Sequence, residues 1–197
     1  MEQSQVLHRV ERLIYERFQR DATGHDYYHM KRVATTAREL AEELGASPYL
    51  SELAGWLHDY LDPKLTKDVS GDEAYLRTFL RQVCELEDTM IDEVFQAMKD
   101  VSFSKGNIPD SLEGKIVQDA DRLDALGAIG IARTFAFGGQ KERPLYHPDD
   151  ETNSLQHFYD KLLLLKDRLN TQPAYVRAER KHAFMVEFIE QFKEEWQ

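Results

Sequence analysis

The chain has 197 residues, which is enough to bury a hydrophobic core in one domain or in at most two small ones. Hydrophobic residues make up 42% of the sequence, and this fraction excludes an intrinsically disordered protein. Acidic residues outnumber basic ones by 36 to 25. The resulting net charge of −11 argues against a nucleic-acid partner or an anionic membrane, because both need a positive surface.

Cys84 is the only cysteine, which excludes an intrachain disulfide framework and a cysteine-based zinc site, and it predicts a reducing compartment. The amino terminus lacks the apolar region of a signal peptide, and no apolar stretch approaches the roughly 18 residues of a membrane span. We therefore expect a cytoplasmic protein without a membrane partner. The sequence leaves the oligomeric state open and is compatible with a homodimer.

Apolar residues recur with helical spacing from the start of the chain. Residues 6–18 predict a first amphipathic helix. A second helix runs from about residue 26 to residue 44, and Gly45 ends it. Ser47 as N-cap and Pro48 at the first helical position begin a third helix.

The same periodicity continues to the carboxyl terminus. Residues 70–73 are typical of a capping box that opens a helix, and residues 90–101 predict another. A long helix is expected from about residue 111 to about residue 135. Two more are expected over residues 155–169 and 173–196.

No segment alternates with the period of a β-strand, so we predict one all-α domain of about eight helices over residues 1–197. The one long irregular stretch covers residues 138–151 and carries Lys141, Arg143 and His147. It is long enough to act as a lid, and a solvated connector is an equally good interpretation.

Three predicted helices carry metal-ligand side chains on their apolar sides. His29 lies on the apolar stripe of the second helix, and His58 and Asp59 end the third. Asp121 follows Val117 by four residues and therefore shares its inward face. A buried carboxylate is costly unless it is paired or bound to a metal. Imidazole and carboxylate ligands without a thiolate suit Mn²⁺, Fe²⁺, Mg²⁺ or Zn²⁺.

The acidic residues of the later helix have an alternative interpretation. Asp119, Asp121 and Asp124 could form an exposed acidic face. The apolar residues that flank them at helical spacing make this the less favoured interpretation.

The order His, His-Asp, Asp on a helical scaffold resembles the HD-domain metal-dependent phosphohydrolase superfamily. Three local strings are similar to a small bacterial branch of nucleotide phosphohydrolases and pyrophosphatases, and the resemblance covers essentially the whole chain. These strings are Gly24-His25-Asp26-x-x-His29-x-x-Arg32-Val33, Leu57-His58-Asp59-x-x-Asp62-x-Lys64 and Asp119-Ala120-Asp121-Arg122-Leu123-Asp124-Ala125-Leu126-Gly127. The resemblance extends into the tail through Phe158-Tyr159-x-Lys161-Leu162 and Leu165-Lys166-Asp167.

The resemblance implies that His29, His58, Asp59 and Asp121 are the metal ligands. Asp124 competes with Asp121 for the fourth place, and the family pattern favours Asp121, with Asp124 as a partner of a ligand or a water molecule. Mn²⁺ is the ion expected first, and Mg²⁺, Fe²⁺, Zn²⁺, Co²⁺ and Ni²⁺ are alternatives.

The resemblance also places Asp62 where related enzymes carry an acid that helps to activate water. Lys64, Lys105 and Arg122 are candidates for binding phosphate oxygens, and Lys64 is preferred because it shares a loop with Asp62. Arg122 could instead pair with Asp124 or with another carboxylate.

Two residues that precede the first ligand have a supporting role in the same resemblance. His25 and Asp26 are expected to orient His29, and His25 could alternatively contact phosphate.

The resemblance implies an enzyme that hydrolyses a nucleoside triphosphate to a monophosphate and pyrophosphate, with ribose and deoxyribose forms both open. The alternatives of the same fold are a nucleoside monophosphate phosphatase and a hydrolase of alarmones or cyclic nucleotides. A different class would be a metal- or nucleotide-binding regulator without catalysis. The presence of Asp62 and Lys64 beside the metal motif argues against that class.

Overall fold

The computed structural model describes residues 1–22, 24–102 and 106–196. All regular structure in these ranges is helical, which confirms the predicted all-α class. The described ranges contain nine α-helices and two short 3₁₀ turns, Leu162–Leu164 and Lys166–Arg168. The helices are α1 (Gln3–Phe18), α2 (Tyr27–Leu44), α3 (Pro48–Leu57), α4 (Val69–Gln82), α5 (Asp88–Met98), α6 (Leu112–Asp124), α7 (Gly127–Gln140), α8 (Gln156–Asp160) and α9 (Gln172–Glu195).

The chain divides into two compact units, and the first comprises residues 1–20 and 25–121. Its core is built from the apolar stripes of α1, α2, α3 and α5, with Ile14, Val33 and Leu53 fully buried. The helices α2 and α3 approach closely, because a Cβ atom on Gly55 would lie only 2.8 Å from the Cα of Ala34. This close approach fixes the spacing of the two helices that carry the predicted histidine ligands.

The second unit comprises residues 21–24 and 122–197. It contains a run of aromatic rings contributed by α7, α8 and α9, of which that of Phe158 is fully buried. The ring of Phe158 lies 5.9 Å from that of Phe188, and the ring of Phe135 stacks on that of Phe192 at 6.0 Å. The single domain over residues 1–197 stays a prediction.

The helix predicted over residues 111–135 is wrong as a single element. Helix α6 ends at Asp124 and α7 begins at Gly127, whose φ of +75° lies in the left-handed region. A right-handed helix cannot continue through that conformation, which glycine adopts at little cost.

Two other predicted elements are also corrected. The helix predicted over residues 155–169 is a short α8 followed by the two 3₁₀ turns, because the backbone of Lys161 leaves the helical region at φ −137°. The capping box predicted at residues 70–73 is wrong, since α4 already begins at Val69. Its N-cap is Asp68, whose side chain accepts a hydrogen bond from the N–H of Gly71 at 2.9 Å.

The irregular stretch predicted over residues 138–151 begins later, because α7 continues to Gln140. The segment that follows closes on itself through a hydrogen bond from the N–H of Ser154 to the carbonyl of Pro144 at 2.9 Å. The buried side chain of Asn153 donates to the carbonyls of His147 and Asp150. These contacts give a folded connector, and the role of a lid stays a prediction.

None of the described helices combines the length and the apolar character that crossing a membrane requires.

Candidate metal centre

The start of α2 positions His29. Asp26 is the N-cap of this helix, and its side chain accepts a hydrogen bond from the N–H of His29 at 2.8 Å. Asp26 thus acts on His29 through the backbone of the helix start. The ring of His25 lies edge-on to that of His29 at 5.8 Å. The side chain of His29 is completely buried.

The end of α3 positions His58, which is the C-cap residue of that helix. Its Nδ1 lies 2.8 Å from the carbonyl oxygen of Gly55. Because a carbonyl only accepts, Nδ1 must donate, and the neutral ring therefore carries its lone pair on Nε2. This Nε2 is buried and makes no hydrogen bond within the described part of the chain. Metal-bound histidines typically show this arrangement.

Two carboxylate oxygens lie close to both imidazole rings. The Nε2 of His29 is 3.5 Å from Oδ2 of Asp59 and 3.6 Å from Oδ1 of Asp121. The Nε2 of His58 is 3.4 Å and 3.8 Å from the same two oxygens. Neighbouring atoms that bind one ion at about 2.0–2.2 Å are separated by about 3–4 Å. The structure therefore brings all four predicted ligands together at a suitable spacing.

The charges of this cluster are strongly coupled. Burial alone opposes protonation of His58, but the nearby carboxylates of Asp59 and Asp121 outweigh it and raise the pKa of His58 to about 9. Burial would raise the pKa of Asp59, but His58 and His29 hold it well below its usual value. Without an ion, the carboxylates and a protonated imidazole neutralise one another. A bound cation must displace that proton.

The structure gives Asp121 and Asp124, the two candidates for the fourth ligand, different surroundings. Asp121 lies beside both imidazole rings, whereas Oδ2 of Asp124 accepts a hydrogen bond from Nη1 of Arg133 at 2.8 Å. Arg133 was not predicted from the sequence, and no local signal identifies it, because it lies on the next helix. Asp119 and Asp124 are buried, so the alternative interpretation of an exposed acidic face is wrong for these two residues.

Asp62 and Lys64 lie in the turn that follows the two ligands of α3. Oδ1 of Asp62 accepts a hydrogen bond from the N–H of Lys64 at 2.8 Å, and the Asp62 carbonyl accepts from Leu65 and Thr66. The other carboxylate oxygen of Asp62, Oδ2, makes no hydrogen bond with the described residues. The side chain of Lys64 is exposed.

Arg122 and Lys105 are the other two residues that were predicted to bind phosphate. Arg122 is buried, and its Nη1 donates to the carbonyl oxygen of Arg168. The role of Arg122 in binding phosphate stays a prediction. Lys105 lies outside the described residues.

A second feature that was not predicted from the sequence supports the turn after His58. Nη2 of Arg17 binds Oδ2 of Asp72 at 2.6 Å, and Thr66 donates its hydroxyl hydrogen to the same carboxylate. The guanidinium carbon of Arg17 also lies 4.0 Å from the ring centroid of the buried Tyr60. This Arg17–Asp72 brace ties the turn to α1 and α4.

Comparison with known proteins identifies the fold. The family model described as HD domain matches residues 26–126, a range that includes the four predicted ligands. The uncharacterized protein YpgQ of Bacillus subtilis strain 168 is 40% identical over 181 residues, which are 89% of this chain and 86% of that protein. The chain belongs to the HD-domain family.

Solved structures support the same assignment for this HD-domain protein. The crystal structure of B. subtilis YpgQ in complex with ADP is 34% identical, with a TM-score of 0.82, and the match covers 99% of this chain and 98% of that one. The crystal structure of an HD-superfamily hydrolase from Bacillus thuringiensis is 40% identical to this chain, with a TM-score of 0.81. The match covers 99% of this chain and 98% of that one. The predicted superfamily is confirmed.

The donor set of this HD-domain protein fits a divalent cation. One ligand atom from each of His29, His58 and Asp121 lies within 4.8 Å of the other two. Asp59 supplies a further carboxylate beside both rings. Two neutral imidazoles and two carboxylates satisfy a doubly charged ion without a thiolate.

Proposed function

We propose that this protein is a divalent-metal-dependent phosphohydrolase that cleaves nucleoside triphosphates to a monophosphate and pyrophosphate. The observation that carries the proposal is the cluster of two buried imidazole nitrogens and two carboxylate oxygens, separated by 3.4–3.8 Å. The complex of the similar YpgQ protein with ADP supports a nucleotide as the substrate class.

The chain itself provides the binding groups and the proton acceptor. When bound at His29, His58, Asp59 and Asp121, a divalent ion supplies Lewis-acid activation of a phosphoryl oxygen and of water. Mn²⁺ is the ion that we propose first, and Mg²⁺, Fe²⁺, Zn²⁺, Co²⁺ and Ni²⁺ remain alternatives for the same ligands.

Asp62 is the proposed base. The N–H of Lys64 donates a hydrogen bond to Oδ1 of the Asp62 carboxylate. Oδ2 of Asp62 is therefore available to take the proton of the attacking water. The water oxygen bonds to the α-phosphorus, and the bond from that phosphorus to the α,β-bridging oxygen breaks. The bridging oxygen leaves with its electron pair on pyrophosphate.

Lys64 is the proposed partner of the phosphate chain. Its side chain is exposed and belongs to the same turn as Asp62. A cation at this position offsets the repulsion between a triphosphate and a protein of net charge −11. The same net charge underlies our proposal that nucleic acid is not a partner.

A panel of nucleotides incubated with Mn²⁺ tests the proposal, with ribose and deoxyribose forms compared side by side. Pyrophosphate and monophosphate should appear in equal amounts from a triphosphate, and His58→Ala should abolish both products. Release of nucleoside and phosphate from a monophosphate would favour the nucleotidase alternative. A metal-loaded protein that binds nucleotides but releases no product would be a regulator instead.

A further inference from the structure

A cavity of about 510 Å³ lies between α1 and α4, in the first compact unit. None of the predicted metal ligands or catalytic residues is among the residues that line it. This α1–α4 cavity therefore has no part in the proposed hydrolysis.

Two arginines of α1 link the helices at either end of the cavity. Arg17 binds Asp72 near the start of α4, and Arg9 donates from Nη1 to the carbonyl oxygen of Val83 at its end. The order of these pairs along the chain shows that α1 and α4 run antiparallel. The two contacts connect the helices at both ends, with the cavity between them.

One wall of the cavity is aromatic. The rings of Tyr75 and Phe79, one turn apart on α4, stack with their centroids 6.4 Å apart and their planes inclined by 25°. Tyr75 is 53% exposed, so its ring is accessible to a planar group. Aromatic faces of this kind bind nucleobases through stacking.

The opposite wall is basic. His8, Arg9 and Arg12 of α1 line the cavity, and Glu16 is the carboxylate on this side. Arg12 binds Oε1 of Glu16 through its Nε at 3.0 Å, and its Nη groups make no hydrogen bond within the described ranges. These groups can donate to an anion in the bidentate geometry that phosphate prefers.

We propose that the α1–α4 cavity is a second ligand site, which binds an aromatic anion of the nucleoside-monophosphate class. The base stacks on Tyr75, and the phosphate binds Arg12 with His8 beside it. The volume lies within the range of about 300–1,000 Å³ that is usual for small-molecule sites. Arg9 and Arg12 outnumber the carboxylate of Glu16 at this cavity, and the remaining positive charge attracts an anion to a chain whose net charge is −11.

Methyl NMR during a titration with AMP tests this site directly, in the wild-type protein and in His58→Ala. The methyl groups of Leu13 and Val83, which line the cavity, should shift in a saturable way in both proteins, with a dissociation constant of about 1 mM or less. The same shifts in His58→Ala would separate this site from the proposed metal centre.

Three substitutions test how the ligand is bound. Arg12→Gln and Tyr75→Leu should each weaken AMP binding by roughly tenfold, because they remove the phosphate donor and the stacking face. Arg81→Gln is the matched control, since Arg81 is an exposed arginine of α4 whose partner is Asp88 and which does not line the cavity. It should leave the affinity unchanged.

Two outcomes would overturn the second site. One is the absence of any shift at Leu13 and Val83 at about 1 mM AMP. The other is an equal loss of affinity in Arg12→Gln and Arg81→Gln, which would indicate nonspecific attraction of charge. Failure of the proposed hydrolysis would appear separately, as the absence of product from the wild-type protein.

Discussion

The backbones of α2 and α3 touch at Gly55 and Ala34, where an added Cβ would come within 2.8 Å of the Ala34 Cα. Gly55 also supplies the carbonyl that receives the Nδ1 hydrogen of His58. One glycine thus sets both the distance between the helices and the orientation of an imidazole.

Gly55→Ala should therefore destabilise the protein and weaken metal binding together. Because the new methyl group meets backbone and not a flexible side chain, we expect a loss of about 1–3 kcal/mol in the free energy of unfolding. Urea denaturation and metal titration measure the two effects. Gly139→Ala is the control, since no atom of the described residues lies within 4 Å of its added Cβ, and it should be neutral or stabilising by up to about 1 kcal/mol. Equal stability of the two variants would contradict the prediction.

Removal of His58 or Asp121 should empty the metal centre. His58→Ala and Asp121→Asn should each lose bound metal and remain helical, because most of the core lies outside the cluster. Elemental analysis and circular dichroism measure the two properties. Asp124→Asn should retain the metal, since Asp124 binds Arg133 and lies outside the ligand cluster described above. Loss of metal from Asp124→Asn, with Asp121→Asn still loaded, would mean that the ligand assignment is wrong.

Asp62→Asn should separate catalysis from metal binding. An asparagine keeps a side-chain oxygen that can accept the N–H of Lys64, so the turn should persist while the proton acceptor is lost. We expect turnover to fall by about two to four orders of magnitude, with metal content unchanged. Steady-state kinetics on the substrate found in the nucleotide panel measure this. Near-normal turnover would show that Asp62 only holds the turn.

Lys64→Ala is the companion variant. If Lys64 binds phosphate equally in the ground and transition states, KM should rise with little change in kcat. A fall in kcat alone would instead give Lys64 a role in the transition state.

The Arg17–Asp72 brace should make part of the stability depend on acid pH. The hydrogen bond from Arg17, followed by that from Thr66, lowers the pKa of Asp72. A lowered pKa means that the stabilisation is present above the unfolded-state pKa of about 3.9 and is lost as the pH falls through the folded-state value. At pH 7 we expect Arg17→Met to be less stable by about 1 kcal/mol.

Carboxyl carbon NMR measures the cause of that effect directly. Arg17→Met should raise the pKa of Asp72 towards its ordinary value, and Thr66→Val should raise it by less. Arg81→Met serves as the control, because Arg81 pairs with Asp88 and not with Asp72. An unchanged pKa of Asp72 in Arg17→Met would refute the brace.

The elements that the sequence predicted well are those with local signals. Gly45 and the pair Ser47-Pro48 mark helix ends through contacts within one turn, and the structure confirms both boundaries. The order of the helices and the four clustered side chains follow from periodicity and from motif resemblance. Neither requires knowledge of distant contacts.

The features that the sequence did not predict depend on residues far apart in the chain. Asp121 and Asp124 are three residues apart on one helix and therefore share a face, so periodicity could not separate them. The distinction comes from Arg133, on the following helix. The brace joins Arg17 to Asp72 across 55 positions, and no local pattern encodes that contact.

Asp121, the last of the predicted ligands, is also the final residue of the first compact unit. A ribosome synthesises the chain from its amino terminus, so the imidazoles of His29 and His58 emerge before the carboxylate of Asp121. A nascent or prematurely ended chain that stops before α6 carries His29, His58 and Asp59 but lacks the helix that completes the cluster. Only a chain in which the first compact unit has been fully synthesised would then bind the ion tightly.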